Sequence, residues 1–118
     1  MRWLAHHCFS KPNTIRPLVL SKPNHAAAVA YAARLRGIPA YIVMPTNVPG
    51  VKRANVLAQG GIIIECEPTL DSRESTAARV LAERGGTLIH PYNDYAVMAG
   101  QGTAALEFLA THPDLDLI

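Results

Sequence analysis

Short apolar runs alternate with helical stretches along most of this chain, and Gly or Pro marks nearly every junction. Residues 18–20, 40–44, 62–66 and 87–89 read as strands. Helices are expected over residues 24–36, from Pro49 to about 59, from a cap at Asp71 or Ser72 to 84, and from a cap at Asp94 through 109. Gly37, Gly60-Gly61 and Gly85-Gly86 stop the first three, and Pro49 suits a first helical turn. On the first helix, Ala27, Ala28, Tyr31, Ala32 and Leu35 form the expected buried stripe. Strands alternating with helices of this length predict an α/β fold: an open parallel sheet of about four strands, with helices on both faces in three αβα layers. The unbroken apolar run 62–64 predicts a strand covered on both faces. Residues 115–118 read as the start of a further strand, whereas residues 1–16 have no usable periodicity and form a separate irregular segment.

Right-handed crossovers bring every strand-to-helix loop to one edge of such a sheet. The loops at 21–25, 45–49, 67–72 and 90–94 are therefore expected together, on the edge where open sheets bind ligands. One of them stands out. Ser21-Lys22-Pro23-Asn24-His25 leads from a strand into an alanine-rich helix. Free backbone N–H groups and the positive dipole end meet there, so a carboxylate or phosphate can bind without a dedicated cation. The plainer alternative is that Asn24 only caps the helix and His25 is an exposed first-turn residue.

The 118 residues supply one domain's worth of core, with 49% apolar and 17% charged residues and a net charge of +2. Basic residues are scattered, so no stretch tracks a nucleic-acid backbone. Arg34, Arg36, Lys52 and Arg53 read as solvated helix faces. No apolar run reaches the roughly 18 residues a bilayer requires, and the opening is too short and polar for a secretory signal. Cys8 and Cys66 show neither disulfide nor zinc spacing, and His6-His7-Cys8 has no distant ligand pair to complete a metal site. A cytoplasmic protein is expected. Gly100-Gln101-Gly102 lacks the spacing of a nucleotide loop, and close helix packing accounts for it. Ser10-Lys11-Pro12-Asn13 recurs as Ser21-Lys22-Pro23-Asn24, far below a repeat signal.

Several segments taken together resemble a known family. These are Gly37-Ile38-Pro39-Ala40-Tyr41-Ile42-Val43-Met44-Pro45, Glu65-Cys66-Glu67-Pro68 with Ser72-Arg73-Glu74, and His90-Pro91-Tyr92-Asn93-Asp94 with Ala99-Gly100-Gln101-Gly102-Thr103. They resemble serine racemases and biosynthetic-type threonine dehydratases, fold-type II pyridoxal-phosphate enzymes of the tryptophan synthase β-like superfamily. The resemblance runs collinearly over residues 17–118. It implies that Asn24 hydrogen-bonds the cofactor's phenolic oxygen, that Tyr92 lines the cofactor pocket, and that Ser21, His25 and the loop amides hold the substrate carboxylate. Arg73 matches a position that ties the mobile small domain to the active site. The implied activity is α-proton abstraction from serine or threonine, followed by racemisation or by loss of water and ammonia. Full-length relatives are implied to be homodimeric.

The family's loop reads Ser-Ser-Gly-Asn-His, and this chain departs from it twice. Lys22 replaces the serine that exchanges a proton on the substrate α-carbon, and lysine is a base only where its pKa is lowered. Pro23 replaces a glycine and removes one N–H donor from the anion site. The family's cofactor-linking lysine, in a Ser-Phe-Lys-like segment, has no match in residues 1–20, and a solvated Lys22 is expected rather than a substitute for it. The glycine-rich phosphate loop, which follows the strand beginning at Leu115, is not among the 118 residues either. The expectation is a fragment, mostly the small domain over residues 17–118, without turnover on its own. Two alternatives are a non-catalytic interaction module and an unrelated small phospholigand-binding α/β domain.

Overall fold

The computed structural model describes residues 17–20 and 23–116. In chain order the elements are β1 (Pro17–Leu20), α1 (Pro23–Leu35), β2 (Tyr41–Pro45), α2 (Gly50–Ala58), β3 (Ile62–Cys66), α3 (Leu70–Arg84), β4 (Thr87–Ile89) and α4 (Tyr95–Thr111). The strands form one parallel sheet in the order β3-β2-β1-β4, the α/β architecture expected from the alternation. Leu115 and Asp116 are not in a strand, and Leu117 and Ile118 lie outside the described residues.

All five residues of β2 are buried, because it runs through the middle of the sheet. Successive side chains point to opposite faces. Ile42 and Met44 pack with Ala26, Val29, Ala30 and Ala33 of α1 and with Val56 of α2. Tyr41 and Val43 pack instead with Cys66 and with Ala77 and Val80 of α3. So α1 and α2 cover one face and α3 the other. Ile42 is fully buried, and its truncation to alanine costs about 2–5 kcal/mol.

Three local expectations are corrected. The run 62–64 does not mark a doubly covered strand: β3 is an edge, and Ile62 is 44% exposed. Helix α1 buries Ala26, Val29, Ala30 and Ala33 along with Ala27 and Ala32, while Leu35 is exposed. Its Ala27-Ala28-Tyr31 side faces α2 across an open cleft rather than the sheet. Helix α3 is capped by Thr69, whose side-chain oxygen accepts from the Ser72 N–H, whereas the Ser72 hydroxyl accepts from the Glu67 N–H. An Asx or Ser cap at 71 or 72 is therefore displaced by two residues or more, because Thr69 is the last residue with extended backbone. The cap at Asp94 is as expected: its Oδ1 accepts from the N–H groups of Ala96 at 2.8 Å and Val97 at 3.3 Å.

Candidate functional site

Strand order reverses between β1 and β4. The chain steps outward from β1 to β2 and β3, then returns through α3 to the far side of β1. Connections diverge at that point, and the crevice beyond the carboxyl ends of the two strands is where open α/β sheets accept ligands. The N-terminus of α1 stands on one side of this crevice and the 90–94 loop on the other. A positive dipole end and free N–H groups therefore face the crevice.

His25, in the first turn of α1, is only 7% exposed. Both of its ring nitrogens are buried without a hydrogen-bond partner. A neutral imidazole offers one donor and one acceptor, and leaving such groups unsatisfied costs about 1–3 kcal/mol each. Burial pushes the His25 pKa below its ordinary 6.5, and the charge of His90 lowers it further. The two histidines, one in the first turn of α1 and the other in the loop after the neighbouring strand β4, are thus within electrostatic reach of each other.

His90 is fixed by its own loop. Its Nδ1 accepts the Asn93 N–H at 2.9 Å and the Tyr92 N–H at 3.4 Å. The Tyr92 ring meets the His90 ring edge-on, with centroids 4.5 Å apart, and is itself 59% exposed. Nothing in the residue types alone singled out His90. The signal that finds it is positional, the first residue after the strand across the topological switch.

Asn24 is exposed and is the second residue of α1, so it does not cap the helix, and His25 beside it is not exposed. Both parts of the plain capping alternative are overturned. With Ala27, Ala28 and Tyr31, Asn24 lines a cleft of about 520 Å³ whose other wall carries Asn55 of α2 and Gln59 at its C-terminal cap. Neither amide is singled out by the sequence; their spacing of four residues is the signal that sets them on one side. Ser21 and Lys22, at the centre of the loop, lie outside the described residues, as do His6, His7 and Cys8.

Arg73 is on the same sheet edge but not beside His25. Its Nε donates to the Thr69 carbonyl at 3.4 Å, and its charge acts on Cys66, at the end of β3. Two strand spacings, roughly 10 Å, separate β3 from β1. The structure therefore brings His25 within electrostatic reach of His90, sets Asn24 on the α1–α2 cleft, and leaves Arg73 across the edge. Gly100 is buried, as close helix packing requires, but Gly102 is exposed and a Cβ there would meet nothing within 4 Å.

The chemistry of this edge suits an anionic, hydrogen-bonding ligand such as a carboxylate: a helix N-terminus and an orphaned buried imidazole. Among the described residues no three His, Cys, Asp or Glu side chains group as a metal site, and no helix is long and apolar enough to cross a membrane.

The pyridoxal-phosphate dependent enzyme family matches residues 13–118. Over 98 residues the chain is 51% identical to the β-hydroxyaspartate dehydratase of Paracoccus denitrificans and 53% identical to the serine racemase of Oryza sativa subsp. indica. Each match covers 83% of this chain, and 31% and 29% of the two relatives respectively. The solved structure of maize serine racemase superposes with a TM-score of 0.87 at 43% identity, over 98% of this chain and 36% of that one. The threonine deaminase of T.th. superposes with a TM-score of 0.82 at 37% identity, over 98% of this chain and 37% of that one. The chain thus spans about a third of the length of these relatives.

Proposed function

The chain belongs to the family of pyridoxal-phosphate dependent enzymes, and from that premise we propose that it forms the substrate-carboxylate side of a serine racemase or serine/threonine ammonia-lyase site. Residues 17–118 correspond, in this reading, mostly to the small domain of such an enzyme. An alternative as an unrelated phospholigand domain gives way to the family match.

The observation that carries the reading is His25, buried at the start of α1 with both ring nitrogens unpartnered. The N–H groups of the first turn of α1 bind the α-carboxylate of serine or threonine, and the dipole orients it. Asn24 supplies a carboxamide to the cofactor's phenolic oxygen, Ser21 adds a hydroxyl to the carboxylate, and Tyr92 closes the pocket from the neighbouring loop. When bound, the cofactor supplies an electron sink for the carbanion left by α-proton removal. Lys22 stands where a proton-exchanging serine is expected. A lysine carrying its ordinary charge cannot take up that proton, and Pro23 withholds one N–H from the anion. Hence the 118 residues bind substrate and cofactor fragments without turnover. Cytoplasmic location, homodimeric assembly of longer relatives and no nucleic-acid partner belong to the same reading.

The test is a titration of the purified chain with pyridoxal phosphate and with L-serine, followed by backbone NMR. Shifts confined to residues around Asn24, His25 and 90–94 support the reading, and their absence from that region overturns it. Borohydride fixing the cofactor on Lys22, together with ammonia release from serine, overturns the inactivity.

A second reading, a non-catalytic interaction module, is favoured by α4. Of its seventeen residues only Val97 and Gly100 are buried, while Met98, Leu106, Phe108 and Leu109 are 37–69% exposed. A helix apolar on most sides belongs in a larger core. Light scattering distinguishes the readings, since a monodisperse monomer that binds no protein counts against this one.

A further inference from the structure

We propose that a carboxylate bound at the N-terminus of α1 is taken up together with a proton, which lodges on the His25 ring. The inference rests on the substrate-carboxylate reading above and adds its regulation by pH. The His25 nitrogens are both buried and both unpartnered, at the point where the α1 dipole is most positive. In the empty site nothing among the described residues favours a cation there. Desolvation, the helix dipole and His90 all oppose it.

A carboxylate reverses that balance. The imidazolium form then has an anionic acceptor for one N–H, and the buried pair is neutral as a whole. The titratable groups on the elements around His25 are few. On the β4–α4 loop they are His90, Tyr92 and Asp94. The Asp94 carboxylate is directed at the first turn of α4 by its two backbone bonds. Between Ile42 and Val48, from β2 into its loop, there is no titratable side chain. Lys22 precedes α1 outside the described residues. Among the described residues no acidic side chain is thus on hand to pair with a charged His25 before the ligand arrives.

The consequence is proton-linked binding. The empty site titrates below 6.5 and the liganded site above the empty one. Between those two values affinity falls about tenfold per pH unit, over roughly one to two units as expected for a new opposite charge nearby. Outside that window it is flat.

L-Serine is the suitable probe, because its own charge is constant through this range. Calorimetric titration of the 118-residue protein with L-serine from pH 5 to 8, in buffers of different ionisation enthalpy, measures affinity and proton uptake together. Weakening on the alkaline side with uptake of up to one proton, both abolished in His25→Gln, supports the proposal. Binding of equal affinity at every pH overturns it and leaves the carboxylate site intact. No L-serine binding at any pH overturns the site itself and the proposal with it. If His25→Gln does not fold, His90→Asn serves instead: loss of the neighbouring charge must move the window to higher pH, and an unmoved window overturns the proposal.

Discussion

Asn93 donates its backbone N–H to Nδ1 of His90 at 2.9 Å, which folds the β4–α4 loop back against the end of its own strand. With Nδ1 accepting, the ring proton sits on Nε2, a tautomer assigned from the hydrogen bond. His90 is thereby held in place within electrostatic reach of His25. His90→Ala removes the acceptor for two backbone donors and is expected to cost about 1 kcal/mol. Urea unfolding measures this, and His90→Asn, which keeps a side-chain acceptor, should recover part of the loss.

Acid sensitivity follows from His25. Its folded-state pKa is depressed below 6.5, so the unfolded chain binds the proton more readily than the folded one. Stability is fully present above pH 6.5 and is lost as the pH falls from there through the folded value, at no more than about 1.4 kcal/mol per pH unit. Thermal melts between pH 7 and 5 should show the decline, and His25→Gln should flatten that portion of it. An unchanged slope in the variant would assign the decline to other groups.

Strand and helix positions were legible because alternating apolar runs and Gly stops are local signals. The same holds for the cap at Asp94. What the sequence could not reveal was order across the sheet. A run such as Ile62-Ile63-Ile64 has one composition whether its strand is central or at an edge, and only pairing made it an edge. The same gap hid His90, whose importance comes from β4 lying next to β1 rather than next to β3. It also misdirected Ala27, Ala28 and Tyr31: a helix packed against both a sheet and another helix has two apolar faces, and periodicity does not say which is which.

Arg53, expected on a solvated helix face, pairs with Glu65 and so links α2 to the exposed edge of β3. Its side chain is 26% exposed and that of Glu65 is 56% exposed, which leaves the pair largely screened. Glu65→Gln is therefore expected to cost less than about 1 kcal/mol, and the loss should shrink further in high salt. A denaturation series at low and high ionic strength checks this. A larger, salt-independent loss would mean that the link holds the strand by packing instead.

The turn between α2 and β3 places the strictest demand on a single residue. A Cβ at Gly61 would lie 2.7 Å from Cγ1 of Val56, 3.1 Å from the Val56 carbonyl oxygen and 3.2 Å from the Ala30 Cβ. None of these neighbours can swing aside, because Val56 is fully buried and Ala30 sits in α1 against the sheet. Gly61→Ala should therefore push α2 away from α1 and cost about 1–3 kcal/mol. The same displacement widens the cleft between Asn24 and Gln59, so the variant should alter backbone NMR shifts along Asn24–Tyr31 while leaving α3, on the opposite face, unchanged. Gly50→Ala, where a Cβ meets nothing within 4 Å, is the matched control and should leave stability nearly as it is.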